Sequence, residues 1–98
     1  MMDKVFVHDI LKRRLSPTKY MQDVFKIYVE QSVKGYMVVI VLRHNVEKVS
    51  SIEMALNRMF NDIDGVRILV RAKGKLHTYG VSRDADVFYE CGSWLDVQ

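Results

Sequence analysis

From Val24 to Arg43 the chain has the pattern of two β-strands around Lys34-Gly35, whose side chains would alternate between an apolar face and a mixed face. If Lys34-Gly35 forms a two-residue loop, the glycine supplies the positive φ that such a turn needs, and Val29 lies opposite Ile40. One face of this hairpin is then apolar at every position but one: Phe25, Ile27, Val29, Gln31, Val33, Tyr36, Val38, Ile40 and Leu42. The pattern therefore predicts a first hairpin whose apolar face packs on the core.

A helix is the alternative structure for residues 17–33. Ser16 could cap this helix, Pro17 suits its first position, and Gly35 would end it. Several apolar residues of the segment recur at helical spacing: Tyr20, Met21, Val24, Phe25 and Tyr28. The β-branched residues of the same segment favour a strand, so the hairpin is the preferred interpretation and the helix stays open.

The order of strand, Lys-Gly turn and strand recurs from Val66 to Val81, around Lys73-Gly74. This repetition predicts a second hairpin. A last apolar stretch from Val87 to Cys91 can add one more strand, with Trp94 beyond it. Within that strand we expect Cys91 to be a small buried side chain.

Two helices are predicted around these strands. Apolar residues of the middle segment recur at helical spacing: Ile52, Leu56, Met59, Phe60 and Ile63. The residues Ser50-Ser51-Ile52-Glu53 have the form of a capping box at the start of this helix. Polar residues are expected on its opposite, solvent-facing side: Glu53, Asn57, Asn61 and Asp64. Near the N-terminus, a second set suits a short helix that ends at Ser16-Pro17: Val7, Ile10, Leu11 and Leu15.

The order helix, hairpin, helix, hairpin, strand predicts a single α+β domain over residues 1–98. Its sheet would be mainly antiparallel, with the two hairpins joined by a crossover helix. Both helices would cover one face of the sheet, and the other face would be open or covered by a partner. The layout resembles that of small phage and mobile-element regulators, although such a similarity of topology does not establish function.

The composition narrows the class of protein. With 49% hydrophobic and 28% charged residues among 98, the chain is not of the disordered class. The longest apolar run, Met37 to Leu42, is far shorter than the roughly 20 residues that a membrane-spanning helix needs. The N-terminus lacks the features of a signal peptide, and the single cysteine fits a reducing compartment. We therefore expect a cytoplasmic protein.

The positive charge is unevenly distributed. The net charge is only +3, but residues 66–83 contain no acidic side chain. Basic and aromatic residues of this segment could neutralise phosphates and stack on bases: Arg67, Arg71, Lys73, Lys75, His77, Tyr79 and Arg83. A second basic group precedes the first hairpin: Lys12, Arg13 and Arg14. We expect nucleic acid, DNA or RNA, as the partner, although charged hairpins and helix ends are also common without any function.

An apolar set lies on the hairpin face that should point away from the helices: Tyr28, Met37, Val39 and Val41. A small protein rarely leaves such a patch bare. Either another part of the chain covers it, or it is the interface of a homodimer or of a larger protein partner.

Signals for catalysis are weak. No nucleophile motif, glycine-rich phosphate loop or metalloprotease motif is present, and no set of residues has the spacing of metal ligands. Lys75, His77 and Tyr79 alternate onto one side of the second predicted hairpin and could in principle cleave RNA by acid–base chemistry. The preferred hypothesis is a small regulatory protein without enzymatic activity or cofactor, which binds nucleic acid through the second hairpin. The alternative is an inhibitor or adaptor that docks on a larger protein through the apolar face of the first hairpin.

Overall fold

Two helices and five strands follow one another in the order α1, β1, β2, α2, β3, β4, β5 in the computed structural model, which describes residues 3–43, 47–74 and 79–97. A short 3₁₀ helix, Lys19–Asp23, precedes the first strand. The elements span α1 Lys4–Leu15, β1 Val24–Ser32, β2 Gly35–Leu42, α2 Val49–Met59, β3 Val66–Ala72, β4 Asp86–Glu90 and β5 Ser93–Trp94. The predicted α+β class, the N-terminal helix and the crossover helix are confirmed, and residues 24–32 form a strand rather than a helix.

The strands form one sheet in the order β3-β2-β1-β4-β5. All neighbouring pairs are antiparallel except β2 and β3, which are parallel because α2 returns the chain to the starting end of β2. The second predicted hairpin is therefore wrong for the residues that the structure describes: β3 pairs with β2, and residues 79–81 lie outside any strand. Residues 75–78 of that predicted hairpin lie outside the described part of the chain.

The first hairpin is confirmed, but its register differs from the prediction. Ser32 pairs with Gly35 and Val29 with Val38, so the loop is Val33-Lys34. Gly35, with a φ of 140°, lies at the start of β2 instead of in the loop. A Cβ at this position would overlap the carbonyl oxygen of Gly65, which is the residue immediately before β3. The glycine thus serves the close approach of two chain segments, and this approach sets where β2 begins.

The core lies between the sheet and the two helices, as predicted. Alternate strand residues on this side are almost fully buried: Ile27, Val29, Val38, Ile40, Ile68 and Val70. The helices contribute a complementary set: Val7, Leu11, Leu15, Leu56 and Phe60. Phe88 of β4 completes this layer, and His8 of α1 lies edge-on to its ring.

The capping box predicted for α2 is not formed. The helix begins at Val49, its N-cap residue is Lys48 with a φ of 68°, and no side chain caps it. The carboxylate of Glu53 instead accepts a hydrogen bond of 2.9 Å from the backbone N–H of Val70 in β3. The predicted motif fails because its serines lie inside the first turn and its glutamate has a partner from another element.

Two residues of the predicted polar side of α2, Glu53 and Asn57, lie against the outer edge of β3, whereas Asn61 and Asp64 are exposed as predicted. The side-chain amide of Asn57 donates to the carbonyl oxygen of Ile68 at 2.8 Å, and its oxygen accepts from the N–H of Ile68 at 3.0 Å. Together with Glu53, Asn57 supplies the hydrogen bonds that a further strand would make. This edge of the sheet is therefore closed by side chains.

The C-terminal part of the sheet is irregular. β4 pairs with β1 through a bulge between Ile27 and Tyr28, and β5 contributes only two residues. Cys91 lies in the turn after β4 with a φ of 52° and is exposed, so the expectation that it is buried is wrong. No helix in the described ranges is both long and apolar enough to span a membrane.

Candidate nucleic-acid interface

The sheet face that points away from the helices is the candidate interface, and we call it the open face. On β3, Arg67 and Arg71 alternate with the buried residues Ile68 and Val70, so both arginines lie on the open face. The strand that carries them forms the edge of a five-stranded sheet rather than one half of a hairpin.

The two arginines differ in their surroundings. The guanidinium of Arg71 donates to the carbonyl oxygen of Val70 at 3.0 Å and lies 3.6 Å from a carboxylate oxygen of Glu53. Arg67 is exposed and lines a cleft at the end of the sheet. Arg71 is therefore held in place with almost half of its side chain exposed, whereas Arg67 extends toward solvent.

Two lysines on this side of the sheet lie over aromatic rings. The Nζ atom of Lys73, which follows β3, is 4.0 Å from the centre of the Phe25 ring. A bulge in β1 between Val24 and Lys26 accommodates Phe25, which lies outside the core cluster, so its predicted place on the apolar face is wrong. The Nζ atom of Lys26 is 4.9 Å from the centre of the Tyr28 ring. Both cation–π contacts place positive charge beside a flat apolar surface.

The electrostatics of Lys26 show which contacts hold it. Partial burial disfavours the charged ammonium, but the Tyr28 hydroxyl and the Glu90 carboxylate, whose oxygen is 3.5 Å from Nζ, outweigh that effect. The result is a raised pKa for Lys26. The charged form of Lys26 is therefore favoured on this face.

The segment from Tyr79 to Ala85 crosses part of the open face on its way to β4. The rings of Tyr79 and Tyr28 lie 6.2 Å apart at an angle of 37°. The N–H of Ser82 donates to the carboxylate of Glu30 in β1 at 3.1 Å. Tyr79, from the predicted basic segment, and Tyr28, from the predicted apolar patch, thus form one aromatic pair beside Lys26.

The predicted protein interface is only partly accessible. The exposed fraction is 2% for Val39 and 0% for Val41, so both side chains are buried within this chain. Tyr28 and Met37 are half-buried and are the two members of the set that a partner can reach.

The second predicted basic group lies on the opposite side of the molecule. Arg14 of α1 forms a two-pronged ion pair with Asp62 at 2.7 and 2.9 Å, and it donates to the carbonyl oxygen of Met59 at 2.8 Å. This hydrogen-bonded pair raises the pKa of Arg14 and lowers that of Asp62. Arg14 therefore holds α1 against the end of α2 and does not join the basic residues of β3.

The other predicted site residues are spread out. Arg13 is paired with Asp9 of its own helix, and Lys12 is exposed on the helical layer. Arg83 is exposed in the turn that precedes β4. Lys75 and His77 lie outside the described residues, and with them most of the trio considered for RNA cleavage.

The structure adds residues that the sequence analysis did not assign to this site. Lys26 and Tyr28 are two positions apart in β1. This spacing is the sequence signal that places both side chains on the same face of the strand. Lys34 and Arg67 line a cleft of about 320 Å³ at the end where β2 and β3 begin. Its other walls come from Ser32, Gly35, Tyr36, Met37, Gly65 and Val66.

Among residues 3–43, 47–74 and 79–97, no group of three or more histidine, cysteine or acidic side chains is arranged to hold a metal ion. Comparison with protein-family models, with curated proteins and with solved structures finds no match for this chain. The function is therefore inferred from the open face itself.

Proposed function

We propose that this protein is a small regulatory or accessory protein that binds nucleic acid through the open face of its sheet. The observation that carries the proposal is the combination of arginines and lysines with two half-buried tyrosine rings on one face of the sheet: Lys26, Tyr28, Arg67, Arg71, Lys73 and Tyr79. Basic side chains of this kind neutralise phosphates, and tyrosine rings stack on bases.

The geometry favours a single strand over a duplex. A duplex is recognised by a helix or a two-stranded ribbon that enters a groove. Each central strand of this sheet is instead flanked by other strands, so the sheet is broader than such a ribbon. A flexible single strand can follow the part of the face that the segment from Tyr79 to Ala85 leaves uncovered and place its bases against the exposed parts of the Tyr28 and Tyr79 rings. The carboxylates of Glu30, Glu53 and Glu90 border the face and limit the number of phosphates it can hold.

The proposal predicts a salt-dependent affinity. Four phosphate contacts, from Lys26, Arg67, Arg71 and Lys73, correspond to a slope of log K against log salt of about −3 for a single strand. Fluorescence anisotropy with labelled single- and double-stranded oligonucleotides of DNA and RNA, each at two salt concentrations, measures this slope. We expect tighter binding to single strands.

A matched pair of charge reversals tests whether the open face is the binding surface. Arg67→Glu should weaken binding and make the slope less steep by about 0.7, because one phosphate contact is lost. Arg58→Glu changes the net charge equally but lies exposed on α2, in the layer on the other side of the sheet. If both variants bind alike, or if the native protein shows no salt-sensitive binding, the proposal is wrong.

The alternative function is that of an inhibitor or adaptor of a larger protein, acting alone or as a homodimer. The observation in its favour is the set of exposed apolar side chains on the helices: Val5, Phe6 and Met54. Affinity purification from the native cell, with and without nuclease, separates the two functions. A protein retained in stoichiometric amount after nuclease treatment would favour the alternative.

A further inference from the structure

The cleft at the end of the sheet combines two cations from different elements. Lys34 belongs to the loop between β1 and β2, and Arg67 is the second residue of β3. These residues are far apart in the sequence, but Gly35 and Gly65 bring their segments together, since the N–H of Tyr36 donates to the carbonyl oxygen of Gly65 at 2.6 Å. Both cationic side chains line the same space of about 320 Å³.

Two backbone segments meet closely in the wall of this cleft. A side chain at Gly35 would overlap the Gly65 carbonyl group, so the contact between the two segments excludes any residue other than glycine. The hydroxyl of Ser32 lies in the same wall and donates to the carbonyl oxygen of Gly35. The cleft is thus bordered by two positive charges, which suit an anion.

The cleft is continuous with the open face. Arg67 lines it, and Arg71 lies four residues further along the same strand, at a distance of roughly 13 Å for an extended chain. A nucleic-acid strand that follows β3 past Arg71 therefore reaches this cleft at the end of the sheet. A phosphate monoester at a strand terminus carries a charge of about −1.5 to −2 at pH 7, which matches two cations better than an internal diester does.

We propose that this cleft binds the terminal phosphate of a nucleic-acid strand held on the open face, an inference that rests on the proposed function. The Lys34 ammonium and the Arg67 guanidinium would contact the phosphate oxygens. The strand would then be bound with one end at the start of β3.

The test uses labelled oligothymidylates of twelve residues with a 5′-phosphate, a 3′-phosphate or only hydroxyl ends. One of the phosphorylated forms should bind the native protein about fivefold tighter than the hydroxyl form, the range of an exposed ion pair. Inorganic phosphate, added at constant ionic strength, should weaken the phosphorylated form more than the hydroxyl form and so reduce this preference. Equal binding of all three forms would overturn the terminal-phosphate site and leave the proposed function in place, whereas no binding of any form would overturn both.

A lysine substitution locates the site. Lys34→Ala should remove the preference for the phosphorylated form and keep most of the affinity for the hydroxyl form. Lys12→Ala removes the same charge from an exposed position on α1 and should keep the preference. A preference that persists in Lys34→Ala, with an unchanged melting temperature, would show that the phosphate is bound elsewhere.

Discussion

Replacing Asn57 by alanine should destabilise the protein, because this side chain closes the edge of the sheet. Its amide exchanges two hydrogen bonds with the backbone of Ile68, at 2.8 and 3.0 Å, and donates to the carbonyl oxygen of Glu53 at 2.9 Å. Ile68 itself is fully buried. The substitution therefore removes the partners of one N–H and one C=O group on β3.

The size of the effect follows from these groups. An unmet backbone group that water cannot reach costs about 1–3 kcal/mol. Asn57 is only half-buried, so water can replace part of the amide, and alanine is a better helix former by up to about 0.7 kcal/mol. We expect a net loss of about 1–2 kcal/mol in the free energy of unfolding, or roughly 4–16 °C in melting temperature for a domain of this size.

The assay is urea and thermal unfolding followed by circular dichroism, with Asn61→Ala as the control. Asn61 is exposed just beyond the end of α2, and its replacement should change stability by less than about 0.5 kcal/mol. Sedimentation velocity of the Asn57 variant should also show more self-association, since an open strand edge pairs with other chains. Equal stability of the two variants would refute the conclusion that α2 side chains support β3.

Three further outcomes are expected. Val39→Glu should unfold the chain, because Val39 is 2% exposed, whereas Met37→Glu on the half-buried part of the same face should leave it folded; circular dichroism distinguishes the two. His8→Phe should raise the melting temperature, because the buried Nε2 atom of His8 has no hydrogen-bond partner among the described residues, and the fluorescence of the single tryptophan beside it should report the change. The pKa of Asp62 is lowered in the folded protein, so its ion pair with Arg14 stabilises the fold at pH values above 3.8, the ordinary pKa of this carboxyl group. This stabilisation is lost as the pH falls through the lower pKa of the folded state. Asp62→Asn should remove that acid-sensitive part of the stability in melting curves recorded between neutral and acidic pH.

Local patterns in the sequence were sufficient for the strands of the first hairpin and for both helices. The alternation within residues 27–31 and 36–42 separates core-facing from open-face residues, and the helical spacing around Leu56 identifies the buried side of α2. These predictions succeed because the residues on one face of a helix or strand recur with a fixed period along the sequence. The spacing of apolar residues therefore indicates which face is buried. The same alternation placed Arg67 and Arg71 on one face of β3.

Contacts between distant parts of the chain decided the rest. The parallel pairing of β3 depends on the direction in which α2 returns the chain, and the register of the first hairpin depends on the approach of Gly35 to Gly65. The sequences of the helix and of the turn do not contain this information. The dipeptide Lys34-Gly35, for example, is equally compatible with a hairpin loop formed by those two residues.

The candidate site depended on tertiary structure to the same degree. Arg14 follows two other basic residues in the chain, yet its bond to Asp62 removes it from the positive face, while Tyr79 comes to lie beside Tyr28. The sequence by itself determined which residues carry charge and which face of each strand they occupy. Only the folded chain decided which of them share one surface, because that depends on how the elements pack and on which charges find partners across the molecule.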